Sequence, residues 1–216
     1  MSVSPYARAA ARGQAPRRRS AGWPAVAASF AGLGFLVARP GLDGLPAGAR
    51  TGVLAAGYLA LGSAAAAGAA AARGAGGAAG SGFPERGAPT VRAALALGAG
   101  LAAVLAVALL ARPAPPLGGA GAPFAALGLS LAAAVAEEAL FRGALYGALR
   151  RWGAPIAIVG SALLFGLVHI PSYGLAALPV DLGAGLLFGW QRWVSGRWTV
   201  PAATHAAANL LAVILR

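Results

Sequence analysis

Cysteine and lysine are both absent from this 216-residue chain, and acidic residues number 5 against 17 basic ones. Without a thiol there is no cysteine nucleophile, no cysteine-ligated zinc and no disulfide. With charged residues at 10% and hydrophobic ones at 59%, the charged surface of a soluble domain, roughly a quarter of its residues, cannot be built. A mean hydropathy of +0.73 and a series of apolar runs point to an all-α, polytopic transmembrane helical bundle. Every basic residue is Arg, which with abundant Ala, Gly and Pro fits a GC-rich bacterial genome. The net charge of +12 does not mark a nucleic-acid partner, because the arginines flank apolar runs and do not alternate with aromatics on one surface. Membrane topology explains them.

Residues 1–22, with Arg8, Arg12, Arg17, Arg18 and Arg19 and no apolar period, are expected to form a disordered basic cytoplasmic tail. A signal peptide over Arg17–Val37 is the rival, yet no clean small-x-small cleavage site follows and further spans come after it. Seven spans are expected, at about 23–38, 51–72, 91–111, 124–149, 155–169, 174–190 and 198–215, divided by Gly- and Pro-rich loops. The second span is rich in Ala and Gly and marginal in hydropathy, which suggests close helix packing. The expected organisation is the tail, N-terminal spans and loops over 23–123, and a core over 124–216. Of the 17 arginines, Arg142 lies within a span; an inside N-terminus leaves Arg39, Arg50, Arg112 and Arg216 outside and puts the other 12 inside. That asymmetry predicts an inside N-terminus in a bacterial inner membrane.

Against this apolar background Glu137 and Glu138 demand a reason. A charge at the bilayer centre costs at least ~2.5 kcal/mol. On a helix, Glu138 shares a face with Arg142 at i+4 and can pair with it, while Glu137 points about 100° away with no partner on its own helix. A poorly solvated carboxylate free of a neutralising cation suits a general base or acid. The only two histidines also lie in apolar runs, each with a helical partner: Phe165 four residues before His169, and Asn209 four after His205. A single such His or Asn is most simply a helix–helix hydrogen bond, but three motifs together with a lone Glu weaken that account. Asp181, after Pro179, reads as a helix-start residue.

The order E-E-x-x-x-R, F-x-x-x-H, H-x-x-x-N on successive apolar spans resembles the CPBP family, the CAAX-protease, bacteriocin-processing (Abi-type) group of intramembrane proteases. Glu137, Glu138 and Arg142 match the first motif, Phe165 and His169 the second, His205 and Asn209 the third; the resemblance covers about 124–216. It implies hydrolysis of a peptide bond within the bilayer by a glutamate-activated water. Glu137 would be the base, His169 would hold or shuttle the proton, and His205 with Asn209 would donate to the tetrahedral oxygen. Glu138, Arg142 and Phe165 would support them. No cofactor is expected; the alternative is a zinc enzyme with Glu137, His169 and His205 as ligands and a water in the fourth position.

Other readings stay open at this level. A rhomboid-like serine protease would use Ser63 or Ser161, a proton-coupled transporter would use membrane Glu and His but usually shows repeated halves, and a non-enzymatic immunity or scaffold protein would keep the fold alone. The expected partners are the lipid bilayer and a membrane-anchored protein or peptide, such as a secreted peptide precursor or a C-terminal sorting segment.

Overall fold

In a bilayer every backbone N–H and C=O needs an intrasegment partner, which long Ala-, Leu- and Gly-rich runs find only as helices. The computed structural model describes residues 23–75, 89–110 and 123–214, and these are helical with no strand among them. The expected basic tail 1–22, most of the expected loop at 73–90 and the Pro-rich stretch at 111–122 lie outside the described residues. The elements are α1 (Trp23–Ala38), a 3-10 turn (Arg39–Gly44), α2 (Ala47–Ala75), α3 (Pro89–Leu110), α4 (Pro123–Glu138), a π turn (Ala139–Leu145), α5 (Tyr146–Leu149), α6 (Ala154–Tyr173), α7 (Leu178–Ser195) and α8 (Thr199–Ile214).

Three segments, Ala47–Gly68, Thr90–Leu110 and Ala154–Tyr173, are long and apolar enough to cross a membrane on length and composition alone. The others fall short for visible reasons. α1, α4 and α8 have 16 residues each, about 24 Å at 1.5 Å per residue against a hydrocarbon core of about 30 Å.

Two expected boundaries are corrected. α6 does not stop at His169 but continues through Pro171 to Tyr173. The proline removes one helical N–H, and the last turn is closed instead by Gly174, at φ +75°, whose N–H donates to the Ile170 carbonyl at 2.8 Å. α7 accordingly begins at Leu178 and not at Gly174, after a short 3-10 turn, with Asp181 in its first turn, where a carboxylate meets the positive end of the helix dipole.

The π turn follows directly on the glutamate pair. A π turn shifts the hydrogen-bond register by one residue and frees a carbonyl; here Arg192 Nε donates to the Arg142 carbonyl at 2.9 Å. α1, α2, α6 and α7 all pack against this turn, and its Leu140 and Phe141 join Leu36, Tyr58, Leu61, Phe165 and Phe188 in the buried core.

α6 and α7 approach so closely that a Cβ added at Gly185 would stand 2.9 Å from the Ala162 Cα. Gly185 and Gly189 are four apart on that seam, as in small-xxx-small packing. Gly185→Ala should therefore force two backbones apart and lower unfolding stability in detergent by about 1–3 kcal/mol. Gly183→Ala, with nothing within 4 Å of the new Cβ, should leave the melting curve unchanged; equal losses at both sites would refute the close-approach argument.

Candidate active site

The i, i+4 geometry read from the sequence brings Arg142 Nη1 to Glu138 Oε1 at 2.9 Å, both side chains fully buried. Arg142 is held further by its Nη2, which donates to the Gly185 carbonyl at 2.9 Å. Its guanidinium lies 4.7 Å from the Phe165 ring centroid and 5.2 Å from that of Phe188, a cation–π setting that partly replaces lost hydration. The pair is incompletely satisfied, since Glu138 Oε2 and Arg142 Nε are buried without a hydrogen-bond partner.

Glu137 is not alone, which corrects the expectation of a carboxylate free of a neutralising cation. Arg39, counted from the sequence as a loop charge, turns inward, and its Nη1 lies 3.0 Å from Glu137 Oε1 with side-chain exposures of 11% and 3%. The same Nη1 donates to the Tyr58 hydroxyl at 2.9 Å, and Nε donates to Ser172 Oγ at 3.2 Å. The correction has a simple cause: the partner is 98 residues away in sequence, beyond any helical periodicity. The other carboxylate oxygen, Oε2, faces His169 Nε2 at 3.6 Å.

His169 is oriented from behind. Its Nδ1–H donates to the Phe165 carbonyl at 2.7 Å, so the neutral ring presents an unprotonated Nε2 toward Glu137. Phe165 packs on the ring at 4.5 Å and Tyr173 stacks on it at 5.7 Å and 12°. Phe165 does more than shelter His169. It also meets Phe141, Phe188 and His205 at 5.3, 6.1 and 5.8 Å.

His205 lies against the other carboxylate. Its Nδ1 is 3.2 Å from Glu138 Oε1, and its ring stacks on Phe188 at 5.1 Å. Both histidines thus flank Phe165, His169 toward Glu137 and His205 toward Glu138. Asn209 Nδ2 donates to the Ser130 carbonyl at 2.9 Å, so its amide donor ties α8 to α4. Ser161 Oγ donates to the Ile158 carbonyl of its own helix at 3.2 Å, the ordinary behaviour of a helical serine.

Three metal ligands would have to converge, yet His169 and His205 address different carboxylates. A dication on Glu137 would also sit beside the fixed charge of Arg39. Among the described residues no three His, Asp or Glu side chains are placed to hold a metal ion, and the donor set of Glu137, His169 and His205 does not fit one.

Arg39, Tyr58, Ser172 and Tyr173 are the site residues that sequence reasoning missed. Tyr58 carried a signal, being the one aromatic in the Ala- and Gly-rich α2, where a hydroxyl must find a partner. Arg39 carried little, since Arg-Pro after an apolar run reads equally well as the end of a span.

Residues 119–211 match the Rce1-like family model, type II CAAX prenyl endopeptidase Rce1-like. No curated protein and no solved structure matches the chain.

Proposed function

We propose, from the match of residues 119–211 to the Rce1-like family model, type II CAAX prenyl endopeptidase Rce1-like, that this membrane protein cleaves a peptide bond at the bilayer with water activated by Glu137. One observation carries the residue assignment: Glu137 Oε2 and His169 Nε2 face each other at 3.6 Å, too far for a direct hydrogen bond, and while the ring is neutral its Nδ1–H is held by Phe165 and an acceptor stands on each side. A water that donates one hydrogen to each acceptor meets that arrangement and turns a lone pair outward.

Attack then proceeds as the water oxygen bonds to the carbonyl carbon while Glu137 takes the proton, with His169 on the same water. When the C–N bond breaks, that proton goes to the leaving nitrogen, and the products are a carboxylic acid and an amine. His205, anchored through Nδ1 on Glu138, is assigned to the tetrahedral oxygen, with Asn209 holding its helix against Ser130. Glu138 and Arg142 keep the π turn, and with it Glu137, in place.

Arg39 opens the 3-10 turn directly after α1, and the Ser172 and Tyr173 that meet it end α6, so the site lies toward that end of the bundle. With the N-terminus cytoplasmic, as the arginine asymmetry favours, that end faces away from the cytoplasm. Substrates of this reading are therefore exported, membrane-anchored chains, cut beside the outer face.

Quantitative proteomics of cells lacking the protein should show exported, membrane-anchored proteins accumulating uncut, with cleavage restored by the wild-type chain. Purified protein should then cut a synthetic peptide spanning one such junction and keep its rate in a strong chelator. No accumulating precursor would sink the protease reading, and chelator loss reversed by zinc would replace the glutamate mechanism with the metal one.

A further inference from the structure

The proposed mechanism leaves the developing oxyanion short of donors. Asn209 gives one of its two N–H donors to the Ser130 carbonyl, which turns its amide toward α4. His205 donates to Glu138 through Nδ1, so its Nε2 can donate only while the ring is doubly protonated. Arg142 commits Nη1 and Nη2 to Glu138 and Gly185, and its unpartnered Nε is fully buried within a cage of phenylalanines. Arg39 is another cation at the site. Arg39 uses Nη1 and Nε on Glu137, Tyr58 and Ser172, while its Nη2 is buried with no hydrogen-bond partner. The planar fork puts that unused donor on the prong next to the one that holds Glu137.

We propose that Arg39 is a catalytic residue whose Nη2–H binds the scissile carbonyl oxygen and stabilises the oxyanion formed when the Glu137-activated water attacks. The proposal rests on Glu137 acting as the base. In this step the water O–C bond forms, the carbonyl π pair moves to oxygen, and the water proton goes to Glu137. The negative charge therefore leaves a carboxylate that Arg39 already holds and reappears on an oxygen within reach of the adjacent prong. The guanidinium faces one negative charge before and after the transfer, so no dipole has to reorganise during the reaction, the condition under which a preorganised donor is most effective. Tyr58 and Ser172 hold the other two nitrogens and fix the plane of the fork, and Tyr173 lies 5.8 Å from the guanidinium carbon.

The test uses the full chain in detergent and a synthetic, internally quenched peptide that spans a junction left uncut in cells lacking the protein. Arg39→Lys keeps a cation beside Glu137 but has no second prong. It should melt near the wild-type temperature and lose about 10²- to 10³-fold in kcat, with KM within about threefold. Arg39→Ala should lose at least as much kcat, and millimolar methylguanidinium should restore part of it while leaving Glu137→Gln inactive. If Arg39→Ala does not insert, the lysine variant decides alone. A lysine variant with wild-type kcat beside an inactive Glu137→Gln would overturn the role of Arg39 and leave the base standing. A rise in kcat would show that Arg39 restrains Glu137, and a loss confined to KM would make it a binding residue; either overturns the proposal. If Glu137→Gln is itself fully active, the mechanism under both readings falls.

Discussion

Glu137→Gln should insert and melt close to the wild type yet cleave about 10²- to 10⁴-fold more slowly, the range for loss of a general base. The amide oxygen can still accept from Arg39 at the position now held by Oε1, 3.0 Å from Nη1, so the link from α1 to α4 survives. What disappears is the acceptor facing His169. A Gln turns an NH2 group toward Nε2, which donates to that nitrogen directly, and a water between the two loses both its acceptors. His169→Ala should cost less than Glu137→Gln, because removing the imidazole takes away orientation and leaves the carboxylate that receives the proton. The measurement is kcat on the junction peptide with melting curves of the same preparations. A Glu137→Gln rate within tenfold of wild type would assign the base elsewhere.

The parts of this site that were legible in the sequence are the local ones. Glu138 and Arg142 share a helix face, and the 2.9 Å contact follows the i, i+4 spacing; the π turn that begins after Glu138 and contains Arg142 leaves it intact. His169 and Phe165 are joined by the same i, i+4 rule, realised as a ring contact and as a bond to the carbonyl one turn back. The apolar runs located the helices because burial in hydrocarbon demands it, and the errors at Pro171 and Leu178 are those of a breaker residue tolerated in a last turn.

What stayed hidden was contact between distant segments. Arg39 reaches Glu137 across 98 positions, and a single sequence holds no record of that pairing. The tautomers were hidden for a related reason. Which nitrogen of His169 carries its proton depends on the Phe165 carbonyl, and which one His205 uses depends on Glu138, on another helix. Asn209 shows the same limit, since its spacing from His205 places both on one face but cannot foresee that the Ser130 carbonyl takes its amide.

Glu138→Gln should lower unfolding stability by about 3–5 kcal/mol, the cost of stranding one member of a buried ion pair. Arg142 would then remain fully buried among Phe141, Phe165 and Phe188 with the Gly185 carbonyl and a neutral amide for partners. His205 is less affected, because the amide oxygen of Gln can still accept from Nδ1. Arg142→Met alone leaves the opposite defect, a buried carboxylate whose Oε2 already lacks a partner, and should cost a similar amount. The double variant Glu138→Gln, Arg142→Met buries no charge and fills the aromatic cage with an apolar chain of similar reach. It should be more stable than either single variant, so the coupling energy in a cycle of denaturation measurements in detergent should exceed about 3 kcal/mol. Cleavage should not return with stability, because the π turn loses the link from Arg142 to Gly185 that sets where Glu137 faces. Additive losses would mean that Glu138 and Arg142 stabilise the bundle independently, and full activity in the double variant would show that the pair does not position Glu137.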